Sequence, residues 1–108
     1  MAWTIVVKEA ALDHLEGFGK KTGRLVLRES LQQLKTDPLA ETKNMKTLRP
    51  NSVADRELRV LGKYRVLFSV DEEKEIVTVI LAGEKRGSKL VVAGKEFSKH
   101  ESHPPEQS

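Results

Sequence analysis

From Arg56 to Asp71 the chain reads RELRVLGKYRVLFSVD, and its apolar and polar positions alternate. Leu58, Val60, Tyr64, Val66, Phe68 and Val70 fall on one side and Arg59, Arg65, Leu67 and Ser69 on the other, the period-two signature of strands with one buried face. Leu61-Gly62-Lys63 is then the turn. A three-residue loop pairs Val60 with Tyr64 and Leu58 with Val66, whereas a two-residue loop sets apolar Val60 against Arg65. The same register puts Arg59 directly across from Arg65. Two guanidinium groups so placed repel unless an acidic side chain or an anionic ligand lies between them, so the pattern points to an anion site.

The remaining periodicities predict the elements around this hairpin. Trp3, Ile5 and Val7 alternate in a first strand, with Trp3 in the core. Ala11, Leu15 and Phe18 share one face of a short helix that Gly17 and Gly19 interrupt. A second helix starts near Thr22 as N-cap, carries the stripe Leu27, Leu31 and Leu34, and stops before Asp37-Pro38. Leu39 to Asp55 has no periodicity and reads as a long connection. Glu75 to Gly83 is a further strand, with Val77, Val79 and Leu81 on the buried side and Ile76, Thr78 and Ile80 on the arginine side. Leu90-Val91-Val92 and Glu96-Phe97 flank Ala93-Gly94 and leave a small hairpin open. The expected fold class is α+β, in the order β-α-α-β-β-β: two N-terminal helices packed on one face of a mainly antiparallel sheet of four or five strands. Residues 1–97 read as one domain and 98–108 as a polar, flexible tail. The arginine face is expected to stay open, with apolar Leu67, Ile76 and Ile80 on it awaiting a tail, partner or ligand.

Composition narrows the class. At 108 residues the chain suits one core, and its formal charge is only +3. The cations are uneven, however: Lys43, Lys46, Arg49, Arg56, Arg59, Lys63 and Arg65 share a stretch whose acids are Asp55 and Glu57, which suits a polyanion or a solvated surface. The absence of cysteine excludes disulfides and thiolate metal sites. The lack of an apolar leader at Met1, and of any apolar run near the roughly 20 residues that span a bilayer, makes the expected location cytoplasmic, with no membrane partner. His100-Glu101-Ser102-His103 has helical ligand spacing, but Pro104-Pro105 follows and no third ligand is evident, so no metal is expected.

The segment Gly62-Lys63-Tyr64-Arg65-Val66-Leu67-Phe68-Ser69-Val70-Asp71, the strand with Trp3, the helix pair closing at Asp37-Pro38 and Lys46-Thr47-Leu48 in the basic connection carry a family likeness. Together they resemble the toxins of bacterial and archaeal type II toxin–antitoxin systems, the RelE/ParE superfamily, over roughly Trp3 to Arg86. The resemblance implies the α+β fold, a cognate antitoxin as partner, no cofactor, and a RelE-like ribosome-dependent endonuclease acting on mRNA. The alternatives are a ParE-like DNA gyrase inhibitor, or a RelE-fold protein that only binds its antitoxin.

Residue by residue, the resemblance implies that Arg65 holds the scissile phosphate and that Arg59, allowing one gap, matches a catalytic basic residue on the preceding strand. A further catalytic cation is Lys85, counted from Gly83, or Arg86, by strict alternation from Thr78 and Ile80. Lys46, Arg49 and Lys63 are the RNA-binding candidates. The family's C-terminal tyrosine or histidine falls near Val91, and neither type occurs between Tyr64 and His100; His100 or His103 serves only if the tail folds back. Lys63 or Lys85 becomes a proton acceptor if crowded cations depress its pKa. The rival to all of this is a surface network in which Glu57, Glu75 or Glu84 neutralises the arginines.

Overall fold

In the computed structural model, which describes residues 3–97, the elements are β1 (Thr4–Val7), α1 (Glu9–Gly17), α2 (Lys20–Thr36), β2 (Met45–Thr47), β3 (Arg56–Val60), β4 (Tyr64–Asp71), β5 (Ile76–Arg86), β6 (Lys89–Val92) and β7 (Lys95–Phe97). The expected tail at 98–108, with His100 and His103, lies outside the described residues. β2 through β7 neighbour one another in chain order, each pair antiparallel. The long β5 takes two partners on the edge away from β4: β1, parallel, along Ile76–Val79, and β6 along Glu84–Arg86. The architecture is the expected α+β one, on a larger sheet. Seven strands form among the described residues because part of the connection pairs with β3 and the last segment closes as the β6–β7 hairpin.

Both helices cover one face, where Ala11, Leu15, Val26 and Leu34 meet Met45, Leu58, Val60, Val66, Phe68, Val77 and Val79. Burial of each such Val, Leu or Phe side chain contributes about 1.5–3 kcal/mol. The expected stripe of α2 needs correction. Its buried line is Gly23, Val26, Ser30 and Leu34, while Leu27 packs at the margin and Leu31 is half-buried. The reason is steric: α1 and α2 cross closely at Gly23, where a Cβ would run into the Leu15 carbonyl oxygen. The helix also begins at Lys20, with Gly19 as N-cap, one turn's fraction before Thr22. Trp3 packs against this core as expected, and Tyr64 points into it, 4.7 Å from Phe18 between ring centroids.

A β-bulge decides what the other face presents. Leu67 pairs with Leu81 but Phe68 pairs with Val79, so Ile80 is an extra residue on β5 and the alternation reverses beyond it. Leu81, expected on the helix side, therefore lies on the arginine side, and Ala82 takes the core position instead. There Leu81 joins Leu67, Leu90 and Ala54 in a second apolar cluster, flanked by Leu48, Val53, Ile80, Val92 and Phe97. The arginine face is thus not open: the chain's own connection and last hairpin cover part of it, and Leu67 is fully buried. Asn51 shapes that connection, since its Oδ1 accepts from the Val53 and Ala54 amides and its Nδ2 donates to the Arg49 and Ala54 carbonyls. Among the described residues no helix is long and apolar enough to cross a membrane.

Candidate functional site

The hairpin loop sets the site. Val60 pairs with Tyr64 and Arg59 with Arg65, the register expected from the faces of the two strands. Leu61 and Gly62 both adopt positive φ, 53° and 80°, to make the turn. Arg59 is exposed, whereas Arg65 is only 6% exposed. The Arg65 Nη1 donates to the Gly62 carbonyl at 3.0 Å and to the Tyr64 carbonyl at 3.3 Å, which fixes the guanidinium under the turn. Burial, then the positive charge of Arg59, holds its pKa below the ordinary arginine value, and Glu57 partly opposes both effects. A buried cation facing a second cation is a site that an incoming phosphate relieves.

Around the pair, strand parity gathers the other charged groups. Glu57, two residues before Arg59, pairs across to Leu67 on one side and Lys46 on the other, so all three share the arginine face. Its side chain is 12% exposed, and Lys46 Nζ lies 3.8 Å from its Oε1. Gly83 is directly opposite Arg65. A Cβ at Gly83 would come within 2.7 Å of the Val91 carbonyl oxygen and 2.8 Å of Val92 Cγ2, so glycine lets β6 bend tightly over this point. Two residues on, about 7 Å along the strand, exposed Lys85 returns to the arginine face, opposite Leu90 of the second cluster.

The bulge thereby sets which of Lys85 and Arg86 shares the arginine face. Arg86, the residue chosen by strict alternation, lies on the helix side, where its Nη2 contacts Glu84 Oε1 at 3.1 Å. Glu84 also holds Lys63 Nζ at 2.9 Å. That contact raises the pKa of Lys63 and, with Arg86, lowers that of Glu84. The direction is opposite to the one a proton-accepting Lys63 needs, and its ammonium is already engaged. Glu84 thus neutralises Lys63 and Arg86 rather than the arginine pair. Arg49 is exposed in the connection, beside Leu48. Arg56, counted among the surface cations by sequence, is a buried structural group instead: it donates to the Pro38 and Ala40 carbonyls and to Glu41.

Val91 supplies no acid or base, and faces a cavity of about 370 Å³ together with His14, Phe18, Glu84 and Arg86 on the helix side. His14 does not substitute for the absent tyrosine or histidine, because its Nδ1 accepts the Ala82 amide across the sheet from Arg65. Among the described residues no three His, Asp or Glu side chains come together to hold a metal. The residue that sequence reasoning undervalued is Glu57. Parity from Arg59 places it on the same face, yet it entered only as a neutralising charge.

No protein-family model matches the sequence, and no curated protein matches it. Solved structures do match in fold. The arginine-to-alanine double mutant of the E. coli toxin RelE in the free state is 26% identical, with 82% of this chain and 88% of that chain covered and a TM-score of 0.61. The toxin–antitoxin complex RelBE2 of Mycobacterium tuberculosis is 21% identical over 79% of this chain and 100% of that chain, TM-score 0.66. The archaeal RelE–RelB complex of Pyrococcus horikoshii is 22% identical over 82% and 99%, TM-score 0.62.

Proposed function

We propose, from the RelE-like toxin fold that this chain carries, that it is the toxin of a toxin–antitoxin pair and cuts mRNA on the ribosome, in the cytoplasm. The observation that supports this reading most is the arginine pair, with Arg65 pinned under its turn, Arg59 across from it and Lys85 on the same face. In such a cut the 2′-hydroxyl oxygen attacks the adjacent phosphorus and the P–O5′ bond breaks, leaving a 2′,3′-cyclic phosphate and a 5′-hydroxyl. The reaction needs a proton acceptor, cations for the charge on the non-bridging oxygens, and a proton for the departing 5′-oxygen. Arginine suits the second role, because its fork binds phosphate bidentately and keeps its proton. The exposed Lys85 ammonium suits the third, and Lys46 and Arg49 suit contact with the RNA backbone.

The neighbours solved as complexes with RelB support an antitoxin as the silencing partner. With part of the arginine face covered by the connection, the helix layer is the surface that suits it. Exposed Leu12 and half-buried Leu27 and Leu31 lie among Lys20, Arg24, Arg28 and Lys35, along two shallow cavities of about 300 and 450 Å³. An acidic amphipathic segment fits that chemistry.

The test is a cell-free translation reaction with primer extension on the mRNA, run beside Arg65→Ala. The expected result is translation-dependent cuts that fall about 10²–10³-fold in rate in the variant, the usual effect of deleting one charge-stabilising donor. Intact mRNA overturns the nuclease reading, and a gyrase supercoiling assay then separates gyrase inhibition from binding of the antitoxin alone.

A further inference from the structure

The reaction needs a proton acceptor, and the arginine face offers few. Arginine and lysine side chains hold their protons at neutral pH, while a carboxylate is a free base there. Ser69 and Thr78 bring only hydroxyls to that face. Asp71 stands at its far end, opposite Ile76, and the Asp55 carboxylate accepts the Val70 amide. Glu57 is different. It is the carboxylate two residues from Arg59 on the same strand and diagonal to Arg65, since Arg59 pairs with Arg65 and Glu57 with Leu67. Diagonal neighbours on one face lie about 7–8 Å apart at Cα, a span that a glutamate and an arginine close around one bound phosphodiester. It pairs across the ladder with fully buried Leu67, its Oε1 lies 3.8 Å from Lys46 Nζ, and its charge opposes the depression of the Arg65 pKa. A carboxylate packed to 12% exposure on a strand paired on both sides is held in place more firmly than the exposed lysines.

We propose that Glu57 is the group that accepts the 2′-hydroxyl proton, with Arg59 and Arg65 holding the phosphate whose neighbour it deprotonates; this rests on the nuclease reading above. The 2′-oxygen to phosphorus bond forms as the proton passes to the carboxylate. The electron pair of the P–O5′ bond leaves with the 5′-oxygen, which takes a proton from the Lys85 ammonium. After product release Glu57 gives its proton to solvent and Lys85 takes one from it, which restores both groups.

The test uses the purified full chain on ribosome complexes programmed with mRNA, under single-turnover conditions, comparing wild type, Glu57→Gln and Glu57→Asp. With Glu57 as acceptor, the expected wild-type rate is flat from about pH 6 to 9, a range that lies between the ordinary carboxylate and lysine values. Glu57→Gln lowers the cleavage rate about 10²–10⁴-fold, the usual worth of a positioned acid or base, with its complex affinity retained. Glu57→Asp, which keeps the charge on a shorter stem, recovers part of the rate. A wild-type rate that climbs about tenfold per pH unit makes a lysine the acceptor and overturns the proposal. So does a Glu57→Gln enzyme that cuts at nearly the wild-type rate, or one that loses affinity while its maximal rate survives, since Glu57 then only balances charge. Should Glu57→Gln fail to fold, the wild-type pH profile and the aspartate variant decide by themselves. A wild type that leaves mRNA intact ends the nuclease reading as well, whereas a cutting wild type with an equally active glutamine variant ends only the role of Glu57.

Discussion

Leu61 and His14, outside the arginine pair, shape the elements that carry it. Leu61 is 53% exposed and sits at φ 53°, the left-handed region that a branched-chain side chain occupies at a cost of roughly 1–2 kcal/mol. It is followed by Gly62, also at positive φ, the combination for which Asn-Gly is the favoured pair in hairpins. Leu61→Asn is therefore expected to stabilise the protein by about 0.5–1 kcal/mol, seen as a rise of several degrees in Tm for a domain of this size. An unchanged or lower Tm would show that the turn is held by contacts of Leu61 itself. His14 works from the opposite face. Its Nδ1 accepts the Ala82 amide just past the bulge, and burial depresses its pKa below 6.5, with Asp13 opposing the shift. The folded protein thus resists protonating His14 while the unfolded chain does not, so its contribution is complete above pH 6.5 and declines as pH falls toward the depressed value. Chemical denaturation across pH 5 to 7 is expected to show stability falling with acid in wild type and a flatter profile in His14→Gln. The carboxylates held low, Glu41 by Thr47 and then Arg56, and Glu84 by Lys63 and then Arg86, act only below about pH 4.5 and leave that window clear. The turn residues and the facing arginines were legible from parity. The His14 bond was not, because no local pattern tells a helix histidine which strand amide a bulge will leave for it.

Among the elements, the connection from 37 to 55 is where charge that reads as surface becomes structure. Arg56, at 4% exposure, gathers the Pro38 carbonyl at 2.6 Å, the Ala40 carbonyl at 2.7 Å and Glu41 at 2.7 Å, tying the exit of α2 to β3. Hydrogen bonds to a charged group are worth about 1.5–3 kcal/mol when lost, and here the carbonyls would be stranded. Arg56→Ala is expected to cost about 3–5 kcal/mol by denaturant titration, whereas Glu41→Gln, at the solvent end, changes little. A small effect of Arg56→Ala would mean that water replaces the guanidinium freely. Sequence counted Arg56 among the surface cations; it shares the parity of Leu58 and Val60 and pairs with Phe68, but a lone arginine among cations gives no sign of the carbonyls that will meet it. The bulge was equally hidden: Ile80, Leu81 and Ala82 are all apolar, so either parity buries something. Gly83 was the nearest hint. Gly83→Ala is expected to push β6 away from Arg65 and to destabilise by about 1–3 kcal/mol, the range for overpacking.

At the scale of the molecule, local and distant pairings divide the fold. β3, β4 and β5 form a meander closed by two short turns, while β1 pairs in parallel with β5 across about 70 residues of chain, Thr4 against Ile76 and Val7 against Val79. Period-two patterning identified β1 as a strand but could not name its partner, since parallel and antiparallel placements bury the same alternate residues. Closing the longer loop costs more conformational entropy before any contact rewards it. The meander, with Val66 and Phe68 at its centre, is therefore expected to form the folding nucleus, and β1 to dock after the rate-limiting step. Stopped-flow folding of Val66→Ala and Ile5→Ala tests the order. Val66→Ala is expected to slow folding with a φ value of about 0.5–0.8, and Ile5→Ala to act on unfolding with a φ value of about 0–0.3. An Ile5→Ala variant that slows folding in proportion to its loss of stability would place β1 in the nucleus and reverse the order. The consequence reaches the candidate site: the arginine pair and Glu57 lie on the meander, so their mutual geometry would be set early, and loss of β1 would expose the β5 edge while leaving the arginine face assembled.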